Sequence, residues 1–107
     1  MAGLDLIAGK ALKYHNWQPA DGDTIVHTGP CILGSIIVND HATTEGVLII
    51  RDGITTGGTQ IAALRLEIST ATEFKPYVLS FDCAMSTGTF LDADGTLAGG
   101  DITVTYI

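Results

Sequence analysis

Between Pro30 and Leu64 the chain sets short runs of branched apolar residues, PCILGSIIVND and then GVLIIRDGITTGGTQIAAL, between clusters of Gly, Asp, Asn and Thr. Runs of this length, rich in Ile and Val and closed by turn formers, predict consecutive short β-strands. The first, Cys31 to Asn39, is interrupted by Gly34, which marks a bulge or a close backbone approach that bends the strand around a core. The second, Val47 to Arg51, is continuous and branched, as a strand buried on both faces requires, and Asp52-Gly53 turns the chain after it.

The same reading extends along the rest of the chain. Tyr77 to Met85 places Tyr77, Leu79, Phe81 and Cys83 on one face and Val78, Ser80, Asp82 and Ala84 on the other. Asp101 to Ile107 alternates Ile102, Val104 and Tyr106 against Thr103 and Thr105 and predicts a further strand. Thr24 to Thr28 alternates modestly. Lys10 to Trp17 and Gln60 to Ile68 are read as strands, although AGKALKY and IAALRLEI also suit a helix. Turn clusters at Pro19 to Asp23, Gly29-Pro30 and Asp92-Ala-Asp-Gly95 punctuate these segments, with Phe90-Leu91 leading into the last. Seven or eight short strands with little helix predict an all-β fold, an antiparallel β-sandwich of jelly-roll-like form, with a barrel as the alternative.

A chain of 107 residues fits one domain, expected over residues 10–107. Residues 1–9 form either an N-terminal arm, in which Leu4, Leu6 and Ile7 dock on a neighbour, or an ordinary first strand. Apolar residues make up 46% of the chain and charged residues only 16%, against roughly 25% in typical soluble domains. Mean hydropathy is +0.34. So little charge leaves apolar surface after folding, which points to a subunit of a larger assembly rather than a solitary monomer.

Twelve acidic residues against five basic ones give a net charge of −7, and no run of Lys or Arg is present to neutralise successive phosphates. Nucleic-acid binding is therefore disfavoured. The opening MAGLDLIAG lacks a basic segment, is broken by Asp5 and is too short for a signal peptide or membrane span, so folding in a cytoplasm and no membrane partner are expected. Cys31 and Cys83 sit in apolar runs without CxxC spacing; they read as buried reduced thiols, and a disulfide between them is unforced.

The residues offer no assembled chemistry. His15, His27 and His41 lack the close pairing that begins a zinc site, and only a meeting of His27, His41 and Asp40 across strands would hold a metal. Asp92-Ala-Asp-Gly95 lacks the spacing and distal Glu of a calcium loop. Ser35, in LGSII, lacks the second glycine of a nucleophile elbow. Gly57-Gly58 and Gly99-Gly100 lack the Lys and helix of a phosphate cradle, and nothing fixes the separation of Glu67 and Glu73. No catalytic residue, metal or cofactor is assigned. Trp17 belongs either to the core or, as an aromatic anchor, to an interface.

Taken together, GPCILGSIIVND, GVLIIRDGITTGGTQIAAL and FLDADGTLAGGDITVTYI resemble the capsid decoration, or cement, proteins of tailed bacteriophages. Ile32 to Asn39, Val47 to Leu64 and Asp101 to Ile107 follow the order of that pattern, which covers about two thirds of the chain; Leu66 to Pro76 and the N-terminus depart from it. The resemblance implies a non-enzymatic virion protein, made in the host bacterial cytoplasm. It would sit on the outer capsid surface, often as a homotrimer, and clamp adjacent major capsid protein subunits. On this reading Leu4, Leu6 and Ile7 contact the shell or a sister protomer. The rival reading is an appendage module that binds a host receptor or carbohydrate, with Trp17, Tyr14 and Tyr77 stacking on sugar rings. A small enzyme with a site shared between subunits is the third.

Overall fold

The computed structural model describes residues 12–65, 75–93 and 96–107. Eight strands run through them: β1 (Lys13–Trp17), β2 (Thr24–Thr28), β3 (Cys31–Ala42), β4 (Val47–Asp52), β5 (Thr59–Arg65), β6 (Tyr77–Met85), β7 (Gly88–Ala93) and β8 (Gly99–Tyr106). They form two four-stranded sheets, here sheet A in the order β1-β8-β3-β6 and sheet B in the order β2-β7-β4-β5, with every pairing antiparallel. Each strand passes to the opposite sheet from the one before it, except β5, which pairs with β4 in sheet B, and the final strand returns between β1 and β3. This is the double Greek key of a jelly roll. The predicted sandwich is borne out, as two separate packed sheets rather than a closed barrel.

The inward faces meet in one core. Trp17, Leu33, Ile36, Ile102 and Val104 from sheet A pack with Leu48, Ile50 and Leu91 from sheet B, all fully buried. Full burial of such side chains contributes roughly 1.5–3 kcal/mol each, enough for the core to fix the register of every strand that supplies one. In β3, Cys31 and Leu33 face inward and so do Ile36 and Val38, a spacing that breaks strict alternation between Leu33 and Ile36. Gly34 absorbs the break as a bulge against β8. A Cβ there would lie 2.9 Å from Thr105 Oγ1 and 3.3 Å from the Thr105 carbonyl oxygen, so the bulge and the close backbone approach occur together.

Most strand limits match expectation, and the differences have local causes. β3 runs on to Ala42 because its far end continues to pair with β8 through Asp40 and Ala42. Of β4, Leu48 and Ile50 are fully buried, while Val47 and Ile49 on the outer side are half-buried. The expected strand Gln60 to Ile68 is described as far as Arg65, and the N-terminal arm lies outside the described residues. Asp92 stands within β7, not in a turn, because its carboxylate is held by Arg51 of the adjacent β4 at 2.9 Å. Among the described residues no helix is long and apolar enough to cross a membrane.

Candidate functional site

Among the described residues, the outer face of sheet A carries the exposed apolar side chains Leu12, Tyr14, Ile32 and Val78. Because Cys31, Leu33 and Ile36 point inward, Ile32 and Ser35 point outward, and the registers line up outward residues in rows across all four strands. At one end Ile107 and Ile32 exchange two backbone hydrogen bonds of 3.0 Å, and Ile32 stands opposite Ala84. Leu12, one residue before β1 and so in line with Ile107, completes an apolar row. The second row carries hydroxyls: Tyr14, Thr105, Ser35 and Ser80. The third is mixed, with Asn16, Thr103, Ile37 and Val78. Tyr14 is 74% exposed, Val78 58% and Ile32 46%.

No charged side chain falls in these three rows, although the chain carries −7. Two acidic side chains adjoin them, Asp82 between the hydroxyl and apolar rows and Asp101 beyond the mixed one. Asp82 occupies the irregular stretch of edge strand β6 between Ser80 and Cys83, and Asp101 closes the far end of the face. Burial pushes the Asp101 carboxyl up, but amide donors outweigh it and hold the group below the usual carboxylate range. Asn16 Nδ2 and Asn39 Nδ2 donate to Oδ1 at 2.6 and 2.9 Å, and Gln18 Nε2 donates to Oδ2 at 3.0 Å.

The two central members of the hydroxyl row satisfy each other. Ser35 and Thr105 share a hydrogen bond of 2.8 Å between their side chains, and Thr105 Oγ1 also accepts from the Ser35 backbone N–H at 2.9 Å. Polar groups already paired in this way lose little when water is excluded from the face. Sheet B is different. Its outer face carries the half-buried Arg51–Asp92 ion pair, with Arg51 Nη1 also donating to the Gly58 carbonyl at 3.0 Å. Beside it Phe90 is nearly buried outside the core, opposite Ile25 and Arg51.

The structure disposes the sequence candidates as follows. Trp17 is fully buried in the core, and its Nε1 donates to the Gly22 carbonyl at 2.9 Å. That burial corrects its assignment as an interface anchor, since no part of the ring is open to a partner. Leu4, Leu6 and Ile7 lie outside the described residues. Of the stacking candidates, Tyr14 is open on the outer face of sheet A, and Tyr77 is 36% exposed at the start of β6. His27 packs its ring against Tyr106 of the opposite sheet, with centroids 5.5 Å apart. His41 Nε2 lies 3.7 Å from its neighbour Asp40, and His15 sits on β1 opposite Val104. Among the described residues no group of three or more His, Cys, Asp or Glu could hold a metal ion. The Ser35 hydroxyl is engaged by Thr105. Cys31 and Cys83 are both free thiols, so no disulfide joins them.

The uncharged face itself was not anticipated. Its signal was present in the outward positions of Thr103, Thr105, Ser35 and Ser80, which are hydroxyls where a solvated strand face ordinarily carries Lys or Glu. Comparison of the chain with family models, with curated proteins and with solved structures finds no match.

Proposed function

We propose that this protein is a structural, non-enzymatic virion subunit that binds the outer surface of a phage capsid and stabilises contacts between major capsid subunits. The observation that carries the reading is the open outer face of sheet A, whose three rows hold no charged side chain on an otherwise acidic jelly roll. Depletion of charge is what distinguishes the centre of an interface from ordinary surface. A small rigid sandwich that spans subunit seams adds buried area at each seam, and many copies make weak contacts persist. Net negative charge discourages attachment to DNA.

The test is co-sedimentation of the purified chain with undecorated shells of its own phage. Saturable binding, together with a higher temperature of shell disruption, is the expected result. Shells that bind no protein and disrupt at an unchanged temperature contradict the reading. Removal of residues 2–9 is expected to weaken binding while the far-ultraviolet dichroism of the sandwich is kept.

One observation favours a second reading, a carbohydrate-binding appendage module. The open Tyr14 ring stands on the same face as Asn16, Asn39 and Asp101, an aromatic platform near amides and a carboxylate. Trp17, the strongest stacking side chain, contributes nothing to it because it is buried. Binding of the isolated protein to a glycan array, abolished by Tyr14→Ala, would favour this reading over the first.

A further inference from the structure

We propose that Cys31, Cys83 and Met85 form a binding site for one soft monovalent metal ion of the Cu⁺ class, built from three sulfurs on the inner face of sheet A. This inference goes beyond shell binding and does not depend on it.

The placement follows from strand register. Cys31 stands opposite Met85, and Cys83 stands opposite Leu33, so the three sulfur side chains share the inward face where β3 pairs with β6. Met85 is directly across from one cysteine and two residues along from the other. Side chains directly opposite in an antiparallel pair have Cβ atoms about 4.5–5.5 Å apart. Cys83 Sγ lies 3.9 Å from Met85 Sδ. Two sulfurs that are each about 2.3 Å from one ion, in a trigonal plane, lie about 4.0 Å apart, so the observed separation needs little adjustment to hold a metal. These are all the sulfur atoms among the described residues, and they gather on two adjacent strands.

The surroundings suit a ligand set as well. Cys31 and Met85 are buried, and Cys83 is half-buried on β6, the edge strand of sheet A, which leaves a route from solvent. From sheet B, Thr89, the one fully buried polar side chain among the described residues, places its Oγ1 3.2 Å from Cys31 Sγ. That hydroxyl is positioned to donate to a metal-bound thiolate, as the outer partners of metal ligands do. The two cysteines are diagonal, which is too wide for a disulfide yet within the span of an ion bound to both.

The donors select the ion. Thiolate and thioether sulfur together suit Cu⁺, whereas Zn²⁺ takes four ligands from thiolate, imidazole and carboxylate. Among the described residues His, Cys, Asp and Glu alone make no group of three, so it is the methionine that completes this set. Burial, and then Asp52 and Cys31 close by, push the Cys83 pKa up, so its thiol is protonated when free and meets the ion by exchange. Two S–H bonds break, two sulfur–metal bonds form and two protons pass to solvent. Met85 donates a lone pair, and no electron changes hands.

The experiment is anaerobic titration of the reduced full chain against Cu⁺ held by the chromophoric chelator bicinchoninate, followed by X-ray absorption of the loaded protein. One ion withdrawn per chain and three sulfur neighbours around copper are expected. Cys31→Ala and Cys83→Ala should each lose the uptake, and Met85→Leu should lower the sulfur count to two. Thr89→Val should weaken affinity roughly tenfold, the effect of removing an outer partner. The melting temperature should rise with Cu⁺, because the ion binds the folded arrangement, and should not move with Zn²⁺.

No withdrawal of Cu⁺, a melting temperature that stays or falls, a copper shell of nitrogen or oxygen, or three sulfurs retained in Met85→Leu overturns the site. So does equal stabilisation by Zn²⁺. Circular dichroism establishes that each variant is folded, and if a cysteine variant is not, the sulfur count and melting of the wild type decide the matter. No shell enters these measurements, so failure of the metal site leaves the decoration reading standing.

Discussion

The carboxylate of Asp52, at the end of β4, accepts two hydrogen bonds from Ser86 in the turn between β6 and β7, one from its backbone N–H and one from its hydroxyl, both at 2.9 Å. Its other oxygen accepts from the N–H of Thr87 at 2.8 Å and of Gly88 at 3.3 Å. One side chain thereby ties the end of a sheet B strand to the turn that carries the chain from sheet A to sheet B. Donors from Ser86 and Thr87 hold the Asp52 pKa down at about 2, from 3.8.

A carboxyl whose pKa is lowered by folding stabilises the fold fully above its unfolded value and loses that contribution as pH falls toward the folded one. Asp52 therefore makes the protein less stable as pH drops from about 4 to about 2. Asp101, also lowered, changes stability in the same direction. Thermal melts across this range should show Asp52→Asn melting below the wild type at neutral pH, with the gap closing as the solution is acidified. Parallel curves at all pH values would mean that the tie does not depend on the ionised carboxylate.

Trp17 is expected to behave as a core residue. Trp17→Ala should cost about 3–5 kcal/mol through cavity formation. Trp17→Phe should cost less, since it keeps most of the packing and loses the bond to Gly22. Urea denaturation measures both. Fluorescence of the native protein should be strongly blue-shifted, and binding of folded Trp17→Phe to shells should match the wild type.

Asp82 adopts φ 49°, the single positive-φ residue other than glycine among those described. The left-handed region penalises a Cβ, and a β-branched side chain most. Asp82→Val should therefore be less stable than Asp82→Gly by about 1–2 kcal/mol, measured by denaturant midpoints. Equal stability would show that the backbone of β6 relaxes at this point when Asp82 is replaced.

Cys31 stands opposite Met85, and Cys83 stands opposite Leu33, so the two thiols are diagonal neighbours on adjacent strands. Diagonal positions in an antiparallel pair lie about 7–8 Å apart, beyond the usual Cα span of a disulfide, about 4.4–6.8 Å. Burial also raises the Cys83 pKa, which keeps its thiol protonated. Mild oxidation of the native protein should form no intramolecular bridge. Two thiols per chain should titrate in denaturant before and after treatment, and a count that falls to zero would contradict this.

Strand positions were legible wherever one face alternates with the other. Tyr77 to Met85 reads inward and outward by single steps, and its limits are those of β6. Gly34 announced a bulge because a glycine inside an apolar run has few other uses. β7 was harder to read. Phe90 is nearly buried although it faces away from the core, so Thr89, Phe90 and Leu91 show no alternation and the DADG sequence behind them dominates. The outer face of sheet A was illegible for a different reason. Tyr14, Ile32, Val78 and Thr105 become neighbours only through the order β1-β8-β3-β6, and no local pattern states which distant strands pair.

Attachment to the shell is tested most directly by cryo-imaging of phage particles assembled with and without this protein. The account predicts jelly-roll density on the outer capsid surface at seams between major capsid subunits, present in complete particles and missing when the protein is withheld. Identical capsid surfaces in the two preparations, or density confined to the tail, would contradict it.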